Sequence, residues 1–289
     1  MIFADRVIAA TKTHGPLCVG IDPHAGRIPS LFGGDTPDGV AAWGQAVVAA
    51  AAGRVAAVKP QIGLFERHGP DGMRALQQIS EAARAAGLIV IADAKRGDIG
   101  STAEGYAAAY LDPGAPFEAD AVTVNPYMGI DTLEPFISRA VTHNKGVIVL
   151  ARTSNPGSAD FQVRSLDGAP LYARVVEALG PAMKRLEGQN GWSGLMLVTG
   201  ATGPQEAKTL RRLAPTALFL VPGYGAQGAG ATDAVAGFVD GVGGLVNASR
   251  SVTFPEGAAS AKHLEEWAGF VGDAIELAKS ELMKAAQNG

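Results

Sequence analysis

Short runs of continuously apolar, often β-branched residues recur along the chain. They are PLCVGID (16–22), RVAAVKP (54–60), GLIVIADAK (87–95), DAVTVNP (120–126), GVIVLART (146–153), GLMLVTG (194–200), ALFLVPG (217–223) and DGVGGLVNAS (240–249). None alternates cleanly between polar and apolar, so each reads as a strand buried on both faces, as in a parallel sheet. The last run is the weakest strand because glycine adds backbone entropy and no packing. Helical spacing fills the gaps. PDGMRALQQISEAARAAG (70–87) places Met73, Leu76, Ile79, Ala83 and Ala86 on one face, with Asp71 expected as N-cap and Gly87 as the stop. The final segment sets Leu264, Trp267, Ala268, Val271, Ile275, Ala278 and Leu282 at the same spacing, which predicts a last helix packed on the sheet.

Eight strands alternating with helices, without a linker or internal repeat, predict an α/β fold. A closed (β/α)8 TIM barrel is favoured over an open doubly wound sheet, with residues 1–289 as a single catalytic domain. TSNPGSADFQVRSLDGAP (153–170) is long, polar and without clear period. It follows the fifth strand, on the face where barrel sites form, and reads as a loop that covers a site.

Hydrophobic residues make up 47% of the chain, enough for a large core. The net charge of −4, with no cluster of Lys and Arg, argues against nucleic-acid partners and anionic membranes. Any phosphate recognition must then be local. One cysteine, Cys18, excludes an intrachain disulfide and reads as a core residue. The five histidines lack metal-ligand spacing. No secretory leader or membrane-length apolar run is evident, so a soluble cytoplasmic protein is expected and the Asn247-Ala248-Ser249 sequon reads as chance.

The chemistry is expected at the C-terminal ends of the strands. Polar residues close the runs there: Asp22, Lys59, Asp93 with Lys95, Asn125, Ser154, Thr199, and Arg250 after the eighth. In DAKRGDIGST (93–102), Asp93 and Lys95 are two apart, so on a regular strand both point the same way. Gly223, Gly225 and Gly228 in VPGYGAQG (221–228) have the G-x-G-x-x-G spacing of a dinucleotide fold. That fold places its glycines at the first βα turn, however, whereas barrels build phosphate sites after strands seven and eight. The loop therefore reads as a phosphate cradle, with Arg250 adding a charged fork of donors.

On IDPH (21–24), VKPQ (58–61), DAKRGDIGST (93–102), PGYGAQG (222–228) and NASRS (247–251), the chain resembles the orotidine 5′-phosphate decarboxylase family in its longer bacterial form. The resemblance implies cofactor-free, metal-free decarboxylation of orotidine 5′-phosphate to uridine 5′-phosphate, in pyrimidine biosynthesis. It implies Lys59, Asp93, Lys95 and Asp98 as the catalytic set, with Lys95 protonating C6. Asp22 and Lys59 would bind the ribose, with Thr102 reaching the same sugar. Asp98 would enter the partner's site in a homodimer. Ser154, or its neighbour Thr153, would meet the pyrimidine amide, and Asn125 would also bind substrate. The phosphate would rest on Gln227, Arg250 and the backbone at Pro222 and Gly223. His24 and the Arg96-Gly97 pair fill variable positions. Three other readings remain at this stage: a Mg2+-dependent sugar-phosphate enzyme on the same scaffold, a Schiff-base aldolase using Lys59 or Lys95, and a non-catalytic phosphate sensor.

Overall fold

In the computed structural model, which describes residues 1–225 and 228–288, eight parallel strands close into a barrel. They are β1 (Leu17–Ile21), β2 (Ala57–Pro60), β3 (Ile89–Arg96), β4 (Ala121–Val124), β5 (Gly146–Arg152), β6 (Ser193–Thr199), β7 (Ala217–Val221) and β8 (Gly244–Ala248). Each pairs with its neighbours in chain order, and β1 closes the ring on β8 through Leu17↔Val246 and Cys18↔Asn247. The fold is the predicted TIM barrel; each predicted run holds a strand, with β3 extending one residue past its run to Arg96 and β6 starting one residue before its run at Ser193.

The apolar runs do not alternate because both strand faces are covered. One set of residues, including Cys18, Ile91, Ile148, Met196, Leu218 and Leu245, fills the barrel interior. The other set, including Val19, Val58, Val90, Val147 and Leu197, packs under the surrounding helices. Helix Phe3–His14 seals the N-terminal end, with Phe3, Val7 and Ile8 buried against the interior set. Cys18 is fully buried there, as expected.

The helix expected at 70–87 spans Gly69–Ala85. His68, not Asp71, occupies the N-cap, because Pro70 already suits the first turn and Asp71 falls inside it. Ala86 lies past the last helical residue and is exposed, so it does not belong to the buried face. Gly87 takes φ +76 and ends the helix as predicted. The final helix, Leu264–Asn288, buries Trp267, Val271, Ile275, Ala278 and Leu282, whereas Leu264 is exposed. The stretch 153–170 is not structureless: it holds a helical turn, Ser158–Phe161, and a hairpin pairing Ser165–Leu166 with Ala169–Pro170. Among the described residues no helix is long and apolar enough to cross a membrane.

Candidate active site

A cavity of about 510 Å3 opens at the C-terminal ends of the strands. Leu150, Val198 and Leu220 form an apolar floor continuous with the barrel interior. Asp22, directly after β1, Lys59 on β2, and Asp93 and Lys95 on β3 stand above it.

These four side chains alternate in charge. The Lys59 Nζ lies 3.9 Å from Asp22 Oδ1 and donates to Asp93 Oδ2 at 2.7 Å. Lys95 Nζ donates to Asp93 Oδ1 at 2.5 Å. Gln61 Nε2 donates to Asp93 Oδ2 at 3.0 Å, and Thr123 Oγ1 to Asp93 Oδ1 at 3.1 Å. Asp93 therefore accepts four hydrogen bonds, two of them from ammonium groups. A carboxylate this buried is tolerable only when so paired. Burial on its own would raise its pKa. Lys59 first and Lys95 second outweigh burial and hold Asp93 well below the usual carboxylate range. Burial likewise works against the charge on Lys59, but Asp93 and Asp22 hold the ammonium above its ordinary range. The carboxylates thus keep a fully buried positive charge in place.

The alternation expected of a regular strand is not how Asp93 and Lys95 come together. Pairing with β4 runs Ala92↔Val122 and then Arg96↔Val124, so β3 spends four residues where β4 spends two. Lys95 sits in this bulge at φ +48, a conformation most side chains avoid. Thr123 fills the gap: its Oγ1 accepts from the Lys95 backbone N–H at 2.8 Å while donating to Asp93. The bulge turns the half-exposed Lys95 ammonium back over the carboxylate.

Five other expected residues line the same cavity: Thr153, Ser154, Pro222, Gly223 and Arg250. The glycine loop follows β7, and Gly223, Gly225 and Gly228 take φ +106, +72 and +85, so each glycine sits at a positive φ that a side chain resists. It does not open a dinucleotide helix; the helix that follows is a single turn, Ala231–Ala234. Gln227, expected to hold phosphate, lies outside the described residues.

Four expected positions are elsewhere. Asn125 lies just beyond the end of β4, and its Oδ1 accepts from the Tyr127 N–H at 3.0 Å. That turn directs it to a neighbouring apolar cavity with Pro126 and Tyr127, not to this one. Thr199 is buried, its hydroxyl has no hydrogen-bond partner among the described residues, and it does not line the cavity. Asp98, half-buried just before helix Gly100–Leu111, and Thr102, exposed in its first turn, lie outside this chain's own cavity. Asp98 accepts from the Ile99 N–H at 2.8 Å.

Sequence reasoning passed over Gln61, Thr123, Tyr224, Asn247 and Ser249 as site residues, and His24 as more than a variable position, though all six line the cavity. His24, Gln61, Tyr224, Asn247 and Ser249 stood in the quoted motifs without being singled out as site residues. Thr123 gave no signal, being one hydroxyl inside an apolar strand. Asp22 Oδ1 and Asn247 Oδ1 are buried and accept no hydrogen bond from the described residues, so both await a donor. Among the described residues no group of three or more His, Cys, Asp or Glu side chains is arranged to hold a metal ion.

Known proteins resemble this chain in sequence and in fold. The sequence profile of the orotidine 5′-phosphate decarboxylase / HUMPS family matches residues 15–262. A protein of Rhodopirellula baltica named orotidine 5′-phosphate decarboxylase is 40% identical over 268 residues, 88% of this chain and 89% of its own. One of the same name from Variovorax paradoxus is 39% identical over 96% of this chain and 100% of its own. Among solved structures, one from Streptomyces avermitilis superposes with a TM-score of 0.85 at 34% identity, over 100% of this chain and 96% of that one. The OMP decarboxylase structure of Leishmania donovani does so with a TM-score of 0.75 at 34% identity, over 97% and 99%. With a barrel of this form and a match that runs through nearly all of it, the chain belongs to the orotidine 5′-phosphate decarboxylase / HUMPS family.

Proposed function

We propose that this cavity decarboxylates orotidine 5′-phosphate to uridine 5′-phosphate, with Lys95 as the proton donor and no cofactor. The observation that carries the reading is the buried chain Asp22–Lys59–Asp93–Lys95 over an apolar floor. When the bond from C6 to the carboxylate breaks, its electron pair stays on C6 and CO2 leaves. The pyrimidine ring delocalises that pair poorly. A fixed ammonium beside C6 stabilises the charge as it forms, because the site needs no reorganisation to meet it. Lys95 Nζ then gives C6 its proton and takes another from water. Asp93 holds the Lys95 ammonium in place through its hydrogen bond, and in this reading it stands beside the departing carboxylate, which disfavours the bound ground state.

The remaining residues grip the parts of the substrate that do not react. The Asp22 Oδ1, which accepts no hydrogen bond from the described residues, and the Lys59 ammonium beside it suit the ribose hydroxyls. Ser154 or Thr153 meets the pyrimidine amide. The left-handed glycine loop and Arg250, adjacent on the rim, receive the phosphate. That remote grip supplies binding energy that raises turnover when it is used to close the site.

The active unit in this reading is a homodimer. Asp98 projects outside its own cavity, and beside it Ile99, Tyr127 and Met128 are exposed apolar side chains, of the kind a second copy covers. Two-fold pairing would carry Asp98 and Thr102 to the partner's ribose and reacting carbon.

The deciding experiment adds purified protein to orotidine 5′-phosphate and follows the loss of orotate absorbance, with and without EDTA. Turnover unchanged by the chelator is expected. Loss of activity in EDTA would favour a Mg2+-dependent enzyme on the same scaffold, and absence of turnover would overturn the reading.

A further inference from the structure

Arg96 follows the reacting lysine directly, yet its side chain does not line the cavity. It turns to the outside of the barrel and is held there from three directions. Its Nη2 pairs with Glu66, the last residue of helix Ile62–Glu66 after β2. The same nitrogen donates to the Tyr110 hydroxyl at 3.3 Å. The guanidinium carbon stands 5.3 Å from the ring centre of Tyr106 and 6.0 Å from that of Tyr110, both on helix Gly100–Leu111. Its backbone is fixed as well, since Arg96 O accepts from the Asn125 N–H at 2.8 Å, where β3 rejoins β4 above the bulge. Arg96 is therefore the upper anchor of the segment that holds Lys95 at φ +48. Such a conformation persists only where the surroundings over-determine it. Below, Ala92↔Val122 pins the strand. Asp93, before Lys95, is held by Lys59, Gln61 and Thr123; after Lys95, the side chain of Arg96 ties the segment to the helices outside the barrel.

We propose that Arg96 is a positioning residue: by tying the end of β3 to the helices after β2 and β3, it keeps the Lys95 backbone left-handed and its ammonium over Asp93. Release of that tie lets the bulge relax toward the extended conformation and carries Nζ away from the reacting carbon. The inference rests on the reading of Lys95 as proton donor. Because Arg96 lies outside the cavity, its loss acts on the chemical step and leaves the grip on ribose and phosphate intact.

The test compares Arg96→Met, Arg96→Lys and the milder pair Glu66→Gln with Tyr110→Phe. Steady-state turnover of orotidine 5′-phosphate and affinity for uridine 5′-phosphate are measured, folding being checked by circular dichroism. Arg96→Met is expected to lower kcat at least tenfold while uridine 5′-phosphate affinity stays within about threefold of wild type. Arg96→Lys, which retains the charge opposite Glu66, recovers part of the loss. If Arg96→Met does not fold, the Glu66→Gln/Tyr110→Phe protein decides, with a kcat loss of several-fold at unchanged product affinity expected. A folded variant with wild-type kcat, or with product affinity reduced as much as kcat, overturns the proposal. A crystal structure of the variant reads the same point without turnover, so failure of the decarboxylase reading is distinguishable. Lys95 is expected to leave its left-handed φ and its contact with Asp93, and an unchanged Lys95 overturns the proposal.

Discussion

At the scale of single residues, the D-x-K pair was legible because two opposite charges ending an apolar strand have few structural uses. What the pattern misjudged was the route. Regular alternation would have aligned Asp93 and Lys95, whereas a bulge supported by Thr123 brings them together. A lone threonine in a buried strand carries no sequence signal of that role. Asn125 misled for the opposite reason: a polar residue at a strand end can be spent on its own turn, here by accepting from Tyr127 N–H. Arg250 belongs to the residues whose role the sequence did suggest. It lines the cavity beside the glycine loop. Arg250→Ala is expected to weaken binding of the phosphorylated substrate by about 2 kcal/mol, roughly thirtyfold, the scale of a charge-assisted hydrogen bond. Binding of orotidine, which lacks the phosphate, should change little. Equal losses on both ligands, measured by titration calorimetry, would make Arg250 a structural residue.

At the scale of elements, the eight strands were legible because parallel strands buried on both faces must be apolar throughout, and the final helix because its buried stripe repeats from Trp267 to Ala286, about five turns. Boundaries were less legible, since a Pro at the first turn and an acidic residue one position later both fit a helix start; His68 rather than Asp71 took the cap. The glycine loop could be read as glycine-rich but not as to path. With Gly223 at φ +106, the loop follows a course that a side chain resists. Gly223→Ala is expected to cost about 1–3 kcal/mol of stability or, where the loop yields instead, to raise KM for orotidine 5′-phosphate with little change in kcat. Thermal unfolding and steady-state kinetics together detect either response. Wild-type values in both would show that the left-handed path is not required.

At the scale of the whole molecule, the barrel buries charge and thiol in one column, and this sets its pH dependence. Asp93 is held below the ordinary carboxylate range, so the stability it contributes is present above about pH 4 and is lost as the pH falls. Lys59 is held above its ordinary range, so its contribution is present below about pH 10 and is lost on raising the pH further. Burial pushes the Cys18 thiol up to about 12, helped by Asp93 and Asp22 and opposed by Lys59. The unfolded thiol ionises near pH 8.5, so stability should fall as the pH rises from about 8.5. Urea unfolding across pH is expected to show a plateau from about pH 4 to 8.5, and Cys18→Ala should flatten the first part of the alkaline decline. An alkaline limb identical in both proteins would place the titration elsewhere. The homodimer is tested at the same scale. If Asp98 serves the partner's cavity, Lys95→Ala and Asp98→Ala homodimers are each nearly inactive. Equal mixing after dissociation makes half the dimers mixed, each with one intact site, and restores roughly a quarter of wild-type activity. Mixed dimers without recovered activity would place Asp98 in its own chain's site. The most direct measurement of all is the turnover of Lys95→Ala on orotidine 5′-phosphate in EDTA beside the wild type, with uridine 5′-phosphate binding measured on the same samples. An ammonium that acts on charge present only in the transition state should, when removed, lower kcat by at least about a thousandfold while the product still binds. Retention of even a tenth of the wild-type kcat would contradict the role of Lys95 as proton donor.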